Sequence, residues 1–232
     1  MQILALAFLL LAAQRPEAAA PQASPSALVV TGNSEVFAIP DQALVRLGIV
    51  QQATVAQTAQ EQANSVAHEI LSAITKLGVA QKDIQTARLV LSPVYSPRGA
   101  DQRIVSYNAT NTVSIRLDNL NLVGSVVDAG LKAGANQLEG VQFLLRNDLP
   151  SREQALKEAV QEARGKAQAM ADALRVNLGA VIEASERGVS VAPRMAAQLA
   201  VPAQGLGAST PVSPGEISIR ANITIRYRIT PK

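Results

Sequence analysis

The sequence predicts an α+β protein in which long amphipathic helices pack on antiparallel sheet. Three observations predict it. The stretches Arg103 to Leu117 and Glu216 to Thr230 alternate apolar with polar residues along their whole length, the pattern of strands with one buried and one wet face. Thr54 to Leu77 and Ser151 to Leu174 instead repeat apolar residues at three/four spacing, which marks one stripe of a helix. Between them, Leu131 to Phe143 changes period: Gly134 and Gly140 bracket a polar turn, with a helical pattern before it and an alternating one after. A glycine there accepts the left-handed conformation that stops a helix.

Composition sets the bounds. At 232 residues with 48% hydrophobic content, the chain can fill one large core or two small ones. Charged residues are 17% and the net charge is only +3, so the basic pI reflects a small excess and not a nucleic-acid surface. Aromatics are 3% with no Trp, leaving little to stack on bases; no nucleic-acid partner is expected. The absence of Cys removes disulfides, thiolate zinc sites and thiol nucleophiles together.

Residues 1–20 read as an export signal. Ile3 to Ala13 is an unbroken apolar run, shorter than a membrane-spanning helix needs, and Ala18-Ala19-Ala20 supplies small residues for cleavage. No Lys or Arg precedes the run, and Pro21 follows Ala20, so a retained anchor or a misplaced start codon are the alternatives. No later stretch reaches spanning length, so no transmembrane helix is expected in the mature chain. Residues 21–27, rich in Pro, Ala and Ser, read as a flexible lead-in.

The elements of 28–232 follow in order. Leu28 to Ile39 is apolar and β-branched and reads as a strand; Pro40-Asp41 turns the chain; Ala43 to Val50 is a second strand with Val45, Leu47 and Ile49 on one face. The helix from Thr54, with Thr54 as N-cap and Gln57 three positions on, carries Ala59, Ala63, Val66, Ile70 and Ile74 and stops at Gly78. A strand from Ile84 to about Val94 leads through a loop marked by Pro97 and Gly99 to the alternating strand. There Val105, Tyr107, Ala109, Val113, Ile115 and Leu117 share a face, opposite Ser106, Asn108, Thr110, Thr112, Ser114 and Arg116. A short helix from Asn119 to Ala133 precedes the glycine turn, and Gly140 to Arg146 forms a strand.

Ser151-Arg152-Glu153-Gln154 has capping-box form and opens the longest helix. Its stripe, Leu156, Val160, Ala163, Ala167, Met170 and Leu174, is built largely from small residues that permit close packing. Glu153 with Lys157 and Glu162 with Lys166 sit at ion-pair spacing. Leu178-Gly179 then gives way to a strand from Val181 to Val191. The Pro-, Ala- and Gly-rich segment 192–214 exceeds ordinary loop length and reads as a mobile insertion. In the last strand, Ile217 to Ile229 alternate with Ser218, Arg220, Asn222, Thr224, Arg226 and Arg228. Helix, strand, proline and long alternating strand occur twice, suggesting two α-β-β halves, 28–117 and 118–232.

Chemistry is sparse. His68, the one histidine, lies about 200° around its helix from Val66 and should be exposed; no G-x-S-x-G elbow accompanies it. One histidine and no cysteine leave only an all-oxygen metal site, for which no spaced acidic loop exists. Asp118, Asp128, Glu139 and Asp148 fall near element ends or on polar faces, as caps or solvated charges. Gly205 to Thr210 lacks the lysine and following helix of a phosphate loop. No catalytic, cofactor or metal residue is therefore expected. The surfaces left are the arginine stripe Arg220, Arg226 and Arg228, for an anionic partner or an assembly wall, and the loop anchors Met195, Leu199, Val201 and Leu206.

Several short segments, taken in order, resemble the SIMPL-domain (DUF541) family of bacterial periplasmic immunogenic and oxidative-stress-related envelope proteins. They are Pro40-Asp41-Gln42-Ala43, Lys82 to Thr86, Tyr107-Asn108-Ala109, Gly134 to Gln137 with Phe143, Leu178-Gly179, and Val212 to Glu216. The resemblance spans roughly residues 28 to 230. It implies an exported, non-enzymatic α+β protein able to form ring- or channel-like homo-oligomers, with peripheral envelope association. It supplies no catalytic residues. An envelope binding module using the 192–214 loop is the second reading, and a carboxylate hydrolase the third.

Overall fold

The computed structural model describes residues 26–96, 103–194 and 210–232. Seven strands and three α-helices make two antiparallel sheets, each with its own hydrophobic core. The strands are β1 (Ala27–Ala38), β2 (Gln42–Ala53), β3 (Ile84–Tyr95), β4 (Ile104–Leu117), β5 (Gln137–Leu144), β6 (Val176–Arg194) and β7 (Glu216–Pro231). The helices are α1 (Ala56–Lys76), α2 (Val123–Lys132) and α3 (Leu149–Leu174), with a 3-10 turn at Leu120–Leu122 before α2. One sheet has the order β3-β4-β2-β5, the other β1-β7-β6.

The first core lies between the four-stranded sheet and helices α1 and α2. Ala43, Val45, Leu47 and Ile49 of β2 alternate inward to meet Ala59, Ala63, Ile70 and Ile74 of α1 and Val123, Val126 and Val127 of α2. Helix α1 begins two residues after the expected Thr54 cap, with Val55 at its N-cap and no side chain capping it. Gln57 instead bonds forward to Glu61 (2.7 Å). Gly78 ends the helix at φ 88°, as its freedom from a Cβ allows.

The turn after α2 uses Gly134 at φ 105°, and Asn136 locks it onto β2. The Asn136 Nδ2 donates to the Val50 carbonyl (2.8 Å) and its Oδ1 accepts from the Val50 N–H (2.9 Å). The side-chain amide thus imitates a strand neighbour. The strand starts at Gln137, earlier than Gly140; Gly140 lies within it at φ 146°, beside a register shift opposite Arg46 and Leu47. A β-bulge needs that conformation and glycine supplies it.

Helix α3 covers the three-stranded sheet. Its buried stripe is Ala155, Ala159, Ala163, Ala167 and Ala171, rotated from the expected one; Val160, Met170 and Leu174 are exposed. The cause is close approach. A Cβ on Gly32 of β1 would sit 1.9 Å from the Ala159 carbonyl oxygen, so only small residues fit along the contact line. The helix starts at Leu149, before Ser151, with the Leu149 N–H on Asn147 Oδ1 (3.1 Å). Proline at position 150 loses nothing in the first turn, where its missing N–H has no partner anyway. The C-cap is Arg175, left-handed at φ 56°, and Leu178-Gly179 lies inside β6.

Strand β7 follows its expected register. Ile217, Ile219, Ala221, Ile223, Ile225 and Tyr227 are buried, between β1 on one side and β6 on the other. The sheets share a connectivity: in each, a helix is followed by a hairpin whose inner strand pairs antiparallel with an earlier strand. Among the described residues no helix is long and apolar enough to cross a membrane. The apolar run at the N-terminus, the 21–25 lead-in and residues 195–209 of the expected insertion lie outside the described residues.

Candidate functional site

The arginine stripe projects from the face of β7 opposite its buried isoleucines, and its members have different surroundings. Arg220 is engaged: its Nε (3.1 Å) and Nη2 (2.9 Å) donate to Glu35 Oε1 on β1. Ser218 Oγ donates to the same oxygen (2.6 Å). The Ser218 hydroxyl first, then the Arg220 guanidinium, hold the Glu35 carboxyl below its ordinary pKa. Arg194 pairs with Glu216 (3.0 Å) and lies 4.5 Å from the Phe37 ring centre, a cation–π contact. Arg226 and Arg228 have no carboxylate partner among the described residues, and Arg226 Nε is buried without an acceptor. The stripe's uncompensated charge is therefore confined to its last two members.

The loop anchors Met195, Leu199, Val201 and Leu206 lie outside the described residues. The chain is anchored where it re-emerges. Thr210 donates to Asp128 of α2 through its hydroxyl (2.6 Å) and its backbone N–H (3.2 Å), and Val212 packs against the first core. These two bonds, the hydroxyl's first, hold Asp128 below its ordinary pKa.

The other singled-out carboxylates have structural partners. Asp118 accepts from Gln42 (2.9 Å) and pairs with Arg146 (2.9 Å). Glu139 accepts from the buried Thr112 hydroxyl (2.6 Å), and Asp148 pairs with Arg152 one helical turn on (2.7 Å). Of the expected helix pairs, Glu162 with Lys166 forms (2.9 Å); Glu162 also accepts from the Asn33 N–H of β1. No group of three or more His, Asp or Glu side chains comes together among the described residues.

His68 is exposed on α1, as its position on the helix predicts. It also stands at the rim of a groove of about 200 Å³ between α1 and the β3–β4 hairpin. His68 and Leu71 of α1, Gln85 and Thr86 of β3, and Asn111 and Val113 of β4 are among the residues that line it. Asn111 is only 4% exposed, and its Oδ1 has no donor. Residue periodicity passes over this position, yet a signal is present. Asn111 is the one amide on the buried face of β4 between Ala109 and Val113, interrupting the apolar register.

The outer strands are β3 and β5 in one sheet and β1 and β6 in the other. The outer edge of β1 is covered by α3, whose Glu162 and Lys166 bond the Asn33 N–H and the Thr31 carbonyl. The β3–β4 hairpin carries exposed apolar side chains: Leu89 (56%), Leu91 (43%), Tyr95, Ile104 and Val105. On β6, Val181 and Ile182 are exposed as well. Such edges invite pairing with another chain.

Residues 28–227 match the SIMPL family, described as protein of unknown function (DUF541). The chain is 30% identical over 215 residues to the 26 kDa periplasmic immunogenic protein of Brucella melitensis, covering 88% of this chain and 85% of that one. It is also 30% identical over 154 residues to the uncharacterized protein YggE of Escherichia coli K12, covering 66% of this chain and 63% of that one. Neither name carries an activity. With the match running across both sheets and all three helices, the chain belongs to the SIMPL family.

Proposed function

We propose that this chain is an exported, non-catalytic protein of the bacterial periplasm that self-assembles and contributes to envelope integrity or oxidative-stress tolerance. The observation that supports assembly best is the β3–β4 hairpin, whose outer strand has a free edge and whose exposed side includes Leu89, Leu91 and Tyr95. A monomer gains nothing from leaving those residues in water. The periplasmic assignment rests on the printed name of the Brucella relative and on the leader-like residues 1–20. Leu89→Lys with Leu91→Lys places two charges on the exposed hairpin and leaves both cores untouched. Sedimentation of this double variant should show a species smaller than the parent's, with unchanged circular dichroism. An unaltered sedimentation coefficient would remove the hairpin from the assembly. The stress role is tested separately, by peroxide survival of a strain carrying a deletion.

A second reading, an envelope binding module, is favoured by the anchoring on either side of residues 195–209. Arg194 is held by Glu216 and Phe37, and Thr210 by Asp128. Replacing 195–209 by a short Gly-Ser linker should abolish capture of an envelope partner while the fold persists; capture by the shortened chain would end this reading. Charge reversal at Arg220, Arg226 and Arg228 together tests the stripe as an anionic-partner or assembly surface.

A further inference from the structure

Helix α3 and strand β6 together line a groove of about 490 Å³ on the three-stranded sheet. The alanine ladder of α3 is drawn close to Gly32 of β1. The row Val160, Arg164 and Gln168, each one residue past a ladder alanine, stays exposed and lines the groove. Leu178, Val181 and Ala184 of β6 line it too. A regular strand with its period of two would not place residues three apart on one face. Two register shifts do so here, one between Leu178 and Val181 and one between Val181 and Glu183. They set the three residues opposite Ile229, Tyr227 and Ile225, the inward face of β7. Bulges that re-aim side chains in this way are concentrated at functional sites.

Charge and apolar surface together select the occupant. Val181 is 54% exposed and Val160 39%, so an apolar body laid along them leaves water. Arg164 is the one charged residue in the lining, and no carboxylate among the described residues pairs with it. The amide of Gln168 is already spent on Asp172 (3.1 Å), which leaves the guanidinium for a ligand. Its planar fork matches a carboxylate, both oxygens at once. A cationic amphiphile would meet like charge there, and a neutral one would leave the arginine unanswered. The volume falls within the roughly 300–1,000 Å³ of small-molecule sites. We propose that this groove binds a single-chain fatty acid, with its carboxylate on Arg164 and its hydrocarbon chain along Val160, Val181 and Leu178.

The test loads the chain lacking its first twenty residues with dansyl-labelled undecanoic acid, whose fluorescence rises in an apolar site. Dodecanoate, below its micelle concentration, is then added to displace the probe. Dodecanol and dodecyltrimethylammonium carry the same chain without the carboxylate. Saturable displacement by dodecanoate with a Kd on the order of 0.1 mM is expected, as its few heavy atoms allow, with weaker displacement by the other two. Arg164→Gln, at an exposed position, should weaken dodecanoate about tenfold, the loss of one charge-assisted contact, and leave dodecanol unchanged. Val181→Asp, also exposed, should abolish displacement with the fold intact by circular dichroism. Leu89→Lys with Leu91→Lys, in the other sheet, should bind as the parent does, which separates this site from the assembly surface. No saturable displacement by dodecanoate would overturn the proposal. So would equal affinity in Arg164→Gln, or equal displacement by the ammonium amphiphile. A parent that binds no fatty acid but whose mass falls in Val181→Asp would assign the groove to a second copy of the chain, and overturn it as well.

Discussion

Glu35 illustrates how single residues set the acid response of this protein. Its carboxylate is held ionised by the Ser218 hydroxyl and the Arg220 guanidinium. A depressed folded pKa contributes stability that is fully present above the unfolded value, about 4.3, and is lost as pH falls through the lower folded value. The Glu35 carboxyl carbon should therefore titrate below that value in an NMR pH series; a midpoint at or above it would contradict the assignment. Glu35→Gln should remove this part of the acid sensitivity. Asp128 behaves alike and holds Thr210 in place. Asp128→Asn should raise the susceptibility of the 210–215 segment to limited proteolysis at neutral pH. None of these partnerships was readable beforehand, because each joins residues about 80 or more positions apart. The sequence shows a glutamate and an arginine on polar faces, and only the pairing of β1 with β7 brings them together.

Elements were legible wherever local periodicity decided them. Strand β7 keeps its alternation because one sheet face must be buried, and a one-residue slip would expose every isoleucine. Strand β4 keeps it only from Ala109 onward on its apolar face, since Ser106 and Thr112 of the expected wet face are buried and Val105 is exposed. Helix α3 shows where periodicity falls short. Hydrophobicity favours a stripe through Leu156, Val160 and Met170, yet the alanine ladder is buried, because closeness to Gly32 outweighs side-chain size. Gly32→Ala should destabilise by about 1–3 kcal/mol or more, measured as a shift in the urea midpoint, since the obstructing atoms are backbone and cannot yield. The Asn136 clamp is a smaller device. Its removal in Asn136→Ala should cost about 1 kcal/mol, read in the same assay, with faster amide exchange at Val50 as its local signature. The groove's Asn111 was visible in outline, as the polar break in an apolar register. That α1 leaves space above it is a packing outcome that no local pattern records.

At the scale of the molecule, two separate cores with one connectivity organise the chain. We propose that they derive from duplication of one α-β-β unit. Native-state hydrogen exchange should then resolve two protected groups, one in α1, β2 and β4, the other in α3, β1 and β7. The absence of disulfides leaves non-covalent contacts, core burial foremost, to stabilise both units, and assembly would add to them by covering exposed strand edges. Light scattering coupled to size-exclusion chromatography, on the chain without its first twenty residues at micromolar concentration, tests that claim most directly. Self-assembly predicts a mass several times that of one subunit, whose full chain is 24.3 kDa. A single peak at the mass of one subunit would contradict it.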